Sequence, residues 1–152
     1  IIGTIFGLGI LVTGIFLKNN TAKNIAYILF IIAAIFGAFS MGTGEGAEEI
    51  VEDMPTIGKQ IIHEHEEIAE KLALVLYILG GISILGLYLN FKKFVQAKLV
   101  SYVALVVAIG GVFLATKVGI TGGEIRHTEI RANGITTPYL ESKSADEEEE
   151  KE

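Results

Sequence analysis

Residues 72–91 read LALVLYILGGISILGLYLNF, a stretch without a single charged side chain. A helix needs about 20 mostly apolar residues to cross the roughly 30 Å hydrocarbon layer of a bilayer. Three further runs are likewise uncharged: Ile1–Leu17, Ile25–Met41 and Leu99–Thr116. Within hydrocarbon every backbone N–H and C=O must find its partner inside its own segment, so these runs read as helices. The expected fold class is all-α, an integral membrane four-helix bundle with a helical extra-membrane connection between helices 2 and 3. Residues 1–131 form the transmembrane four-helix domain, and residues 132–152 an acidic, disordered tail ending in Glu147–Glu150, Lys151 and Glu152.

The composition agrees. Half of the 152 residues are hydrophobic (51%), and the mean hydropathy is +0.53, unusual for a chain that must cover itself in polar surface. The absence of cysteine removes disulfides, thiolate metal sites and thiol nucleophiles. A net charge of −6 argues against nucleic acid, which requires a basic face. The chain opens inside an apolar run, at Ile1 rather than at a methionine. That run has no preceding basic residues and no small-x-small site, so it reads as a spanning helix with its first turn missing rather than as a signal sequence.

Charge is segregated along the chain. The connections Lys18–Asn24 and Lys92–Lys98 hold five lysines between them and no acid, whereas Gly42–Lys71 holds nine acids and two lysines. By the positive-inside rule the two basic connections lie on the cytoplasmic side, with 42–71 and both termini opposite. Small residues mark the expected helix contacts: Gly3 and Gly7; Ala69, Ala73, Gly80 and Ser83; and Ser101, Ala104, Ala108, Gly111 and Ala115.

The segment 42–71 is patterned. Gly42-Thr43-Gly44-Glu45-Gly46 reads as a turn-like opening, and Ala47, Ile50, Val51 and Met54 as one face of a short helix ended by Pro55. From about Thr56 a further helix runs straight into the third span. On it lies His63-Glu64-His65-Glu66-Glu67. Residues two apart on a helix point about 200° apart, so the two histidines cannot share one ligand. His65 falls on the apolar stripe with Ile61, Ile62, Ile68, Ala69 and Leu72, and His63 on the wet side with Lys59, Glu66 and Glu70.

After the fourth span comes Gly122-Gly123-Glu124-Ile125-Arg126-His127-Thr128-Glu129-Ile130-Arg131. The glycine pair allows a sharp turn or a close approach. Arg126 and the neighbouring acids pair with each other, hold a ligand carboxylate or orient His127. Imidazole is the commonest protein ligand of heme iron and a good one for divalent metals. His65 and His127, with Gly122, Gly123 and Arg126 beside them, are thus candidates for a heme b site. His63, His65 and His127, with Glu45, Glu49 or Glu66, are candidates for Zn²⁺ or another divalent metal. A core histidine that is simply hydrogen-bonded is the competing reading. No serine sits in a nucleophile elbow and no glycine run has a phosphate-loop context, so independent catalytic activity is not expected.

Gly119-Ile120-Thr121-Gly122-Gly123-Glu124, with Arg126 and His127, resembles the glycine-glycine-acid motif of the DUF2231-type family of small bacterial membrane proteins. The acids of Gly42–Glu70 followed by His65 resemble that family's central segment. The resemblance implies a multi-pass protein of the bacterial inner membrane. It also implies further histidines in a segment preceding helix one, and a link to membrane electron transfer. The expected partners are the lipid bilayer and other membrane subunits or cytochromes, with a homo-oligomer as an alternative. A cofactor-free accessory subunit remains the competing function.

Overall fold

A computed structural model describes residues 1–52 and 59–126 of the chain. They form four helices: α1 (Ile2–Phe16), α2 (Asn20–Glu52), α3 (Lys59–Phe91) and α4 (Ala97–Arg126). Among the described residues there is no strand. Each helix packs on the next in sequence and α4 closes the ring against α1, giving an up-and-down bundle.

The exterior shows that this is a membrane bundle. Phe6, Phe36, Val106 and Phe113 all have more than 60% of their surface exposed, while Thr4, Ser83 and Ser101 are buried. Apolar outside and small or polar inside reverses the arrangement that water selects. Inside, the two buried serines bond to their own helix: Ser83 Oγ donates to the Leu79 carbonyl (2.7 Å) and Ser101 Oγ to that of Ala97 (2.9 Å). Three helical stretches, Asn20–Gly44, Ile62–Phe91 and Ala97–Ile125, are long and apolar enough to cross a membrane. The fourth expected span falls short of that length: α1 has 15 residues, about 22 Å at 1.5 Å per residue.

Small residues set the packing, as the stripes predict. Ala104, Ala108, Gly111 and Ala115 are all buried on α4, as are Ala73, Gly80 and Ser83 on α3. The aromatic side chains of α2 seat on glycines of both neighbours. A Cβ on Gly7 would stand 2.6 Å from the Phe30 ring, and one on Gly86 would stand 2.6 Å from the Tyr27 ring. Gly3, the other half of the GxxxG spacing, has nothing within 4 Å of its Cβ position and takes no part in the contact.

Both basic connections are built in the same way. In the first, the Asn19 N–H donates to the Gly14 carbonyl (2.9 Å) and the Lys18 N–H to that of Ile15 (3.2 Å). In the second, the Phe94 N–H donates to the Leu89 carbonyl (3.0 Å) and the Lys93 N–H to that of Asn90 (3.2 Å). These are paired Schellman ends, and the residue at each left-handed position is a lysine, Lys18 (φ 50°) and Lys93 (φ 57°), where glycine is usual. Asn19 then caps α2 by accepting from the Ala22 N–H (3.1 Å).

At the opposite end the helices run further than expected. Gly42–Gly46 is not a turn: α2 is one helix from Asn20 to Glu52, absorbing the start of the separate helix expected from Ala47. Thr43 supports this continuity by bonding back to the Phe39 and Ser40 carbonyls (3.0 and 3.2 Å). α4 likewise passes through Gly122–Gly123 without turning and reaches Arg126, the last described residue. α3 begins at Lys59, several turns ahead of Leu72, as expected. Pro55 and the acidic tail lie outside the described residues.

Candidate functional site

His65 reaches its place by helical register. Ile62, Leu72, Ala73 and Leu76 on α3 are all buried, and His65 and Ala69 continue the same stripe half-buried. His63 lies on the other side of the helix with 82% of its side chain exposed, its Nδ1 3.7 Å from Glu66 Oε2. The separation of the two imidazoles predicted from spacing is therefore found, and Glu66 is engaged with the exposed one.

The inward imidazole meets α4. His65 Nδ1 is 2.8 Å from Thr121 Oγ1. Thr121 Oγ1 is in turn 3.2 Å from the Lys117 carbonyl and 3.3 Å from that of Val118. A hydroxyl has one proton to give. Given to the backbone, it leaves Oγ1 as acceptor and requires the proton of His65 on Nδ1. The lone pair is then on Nε2, the arrangement in which a histidine ligates a metal while its other nitrogen is held by the protein. The alternative, Thr121 donating to Nδ1, forfeits both backbone contacts.

Gly122 makes room for the ring. A Cβ there would stand 3.1 Å from His65 Cε1, so the close approach foreseen for this glycine is real, while the sharp turn is not. Gly123 is half-buried in the last turns of α4. Arg126 is the last described residue of that helix, and His127 lies outside the described residues. Of the expected set, the structure thus brings together His65 and Gly122. Thr121 was missed. Extending the stripe Ala104–Ala108–Gly111–Ala115 by further steps of three and four reaches Val118 and then Thr121–Gly122, which is the signal that locates it.

One turn along α3 from His65 and one along α4 from Thr121, Ala69 and Val118 line a cavity of about 610 Å³. Its other walls are almost wholly apolar, with Ala33 and Phe36 from α2, Leu72 and Leu76 from α3, and the Met41 side chain. His65 itself does not line it; the cavity begins one turn further along α3, at Ala69. The arrangement is thus one held imidazole beside a glycine, with a half-open, mostly apolar cavity one turn away. Among the described residues no three metal-ligating side chains come together.

No protein-family model matches the chain, and neither curated proteins nor solved structures give a match. The likeness to the DUF2231-type family stands on the quoted residues alone.

Proposed function

We propose that the chain is a membrane-embedded, b-type heme-binding protein, an electron-transfer or respiratory-complex component acting at the acidic face. The observation that supports this reading is the anchoring of His65 Nδ1 by Thr121, which directs Nε2 to a ligand. His65 would be one of the histidines that hold the iron, with His127 or a histidine from a preceding segment as its partner. Heme, when bound, supplies one-electron chemistry. The chain's own part is to hold the imidazole in one tautomer through Thr121, to clear space for it at Gly122, and to keep water out through the apolar wall. Orientation in the bacterial inner membrane, with the lysine turns cytoplasmic and the acidic end periplasmic, belongs to the same proposal, as do cytochrome or subunit partners.

An absorption spectrum of the purified full chain tests it. A Soret band that sharpens on dithionite reduction, and is lost in His65→Ala but kept in His63→Ala, is the expected result. No Soret band after expression with ample heme overturns the reading. The His65–Thr121 bond also favours a second reading, a cofactor-free subunit in which that bond clasps α3 to α4. Then His65→Ala loosens the bundle while no pigment is ever present. Divalent-metal binding requires donors from outside the described residues, and elemental analysis by mass spectrometry checks it.

A further inference from the structure

At the end of the bundle away from His65, the two Schellman turns enclose a cleft of about 750 Å³. Four lysines line it: Lys18 and Lys23 from the first hairpin, Lys93 and Lys98 from the second. Asn20, Asn90 and Ser101 contribute polar atoms between them. The sequence has no Asp or Glu between residues 1 and 44 or between 71 and 123, so no carboxylate on α1, on either basic turn or on the helix ends that meet there faces these cations.

Two buried groups make the deficit specific. Lys23 is 8% exposed, and the acceptor found for its Nζ is the neutral Asn20 Oδ1, at 3.1 Å. A buried charge is normally paired with its opposite. Asn90 is 7% exposed. Its Nδ2 donates to Asn24 Oδ1 (2.8 Å), and its own Oδ1 is a buried acceptor with no donor. The cleft therefore calls for a ligand that brings negative charge to the lysines.

The surroundings identify the source of that ligand. The rim of both turns is apolar and outward-facing: Phe16, Leu17, Phe91 and Val95 each expose 70% or more of their surface. Such side chains belong in the interfacial layer of a bilayer, which places the cleft at headgroup depth. We infer that the basic cleft is a binding site for an anionic phospholipid, whose phosphodiester would accept from the lysine ammoniums. This inference does not depend on heme.

The test is lipid retention by the full chain in mild detergent, titrated with phosphatidylglycerol or with phosphatidylcholine of the same acyl chains and read by native mass spectrometry. Phosphatidylglycerol is expected to bind at least tenfold more tightly. Lys93→Gln and Lys98→Gln change exposed side chains, so the fold is not at risk, and each should weaken retention about fivefold. Lys117→Gln, whose ammonium lies over Phe113 on the other half of α4, should leave it unchanged. Equal retention of the two lipids, or equal loss in Lys117→Gln, overturns the inference. So does displacement of phosphatidylglycerol by inorganic phosphate at matching concentration, which would make the site one for a soluble anion.

Discussion

The two ends of this bundle solve the same problem in opposite ways. Both must bring helices out of an apolar layer into a charged environment. At the lysine end the chain turns at once, with paired Schellman caps and cations of one sign around a cleft. At the acidic end α2, α3 and α4 continue as helices beyond the apolar runs, and charges of both signs meet, as in the pair of Lys71 Nζ with Glu67 Oε1 at 2.7 Å. The lysine end holds no acid to balance its charge, whereas the acidic end pairs Lys71 with Glu67 and seats an imidazole between two helices.

Reversing the charge at the lysine end is the largest perturbation of this contrast. Lysine in short loops biases orientation, so Lys18→Glu, Lys93→Glu and Lys98→Glu together should turn a single topology into a mixture. The chain has no cysteine, so one introduced at Thr43 or Gln96 reports its side through an impermeant maleimide. In the parent, Thr43→Cys should label from outside intact cells and Gln96→Cys should not. Labelling of both, in the parent, would break the assigned asymmetry.

Next in size is the packing that joins the two ends. Gly86→Val drives a side chain into the Tyr27 ring and should cost about 1–3 kcal/mol, the usual range for overpacking. Gly81→Ala, with nothing within 4 Å of its Cβ position, should not destabilise the chain. Unfolding by SDS titration compares them. Equal behaviour would mean that the aromatic-on-glycine contacts do not hold the bundle.

How much of this could be read in advance follows from which forces act where. Hydrocarbon punishes an unbonded backbone group so severely that the helices at 25–41, 72–91 and 99–116 were legible from the lack of charge alone. The inward stripe of α4 and the opposed facing of His63 and His65 follow from a fixed helical period. What misled was propensity at the membrane edge. Gly42, Gly44 and Gly46 each cost about 1 kcal/mol in a helix, yet α2 continues through them as an exposed helix, with Thr43 bonding back to Phe39 and Ser40. α4 likewise continues through Gly122–Gly123. Thr121 was hidden because a threonine beside two glycines reads as loop, and its meaning appears only when α4 is extended far enough to face His65.

A smaller effect separates the two imidazoles. His65→Ala removes the α3–α4 hydrogen bond and should cost about 1–2 kcal/mol. His63→Ala removes an exposed contact at 3.7 Å and should change stability by less than about 0.5 kcal/mol. Thr121→Val sharpens the point. In the heme reading the pigment remains with a shifted spectrum, because ligand orientation and basicity change. In the subunit reading Thr121→Val simply matches the stability loss of His65→Ala.

The smallest expected change has the opposite sign. Lys18 and Lys93 hold left-handed backbone conformations, which cost a side-chain-bearing residue about 1–2 kcal/mol. Glycine relieves that strain but gives back about 0.5–1 kcal/mol through the freedom of its unfolded chain. Lys93→Gly should therefore raise stability in a neutral detergent by roughly 0.5–1 kcal/mol, the difference between those two terms, while weakening phosphatidylglycerol retention as Lys93→Gln does. Measured in bilayers rich in that lipid, the gain should shrink or vanish, since a ligand that binds the folded state adds to its stability. A gain of the same size in both media would show that the ammonium at this turn contributes nothing to lipid binding, and the lysine end would then be no more than a pair of tight turns.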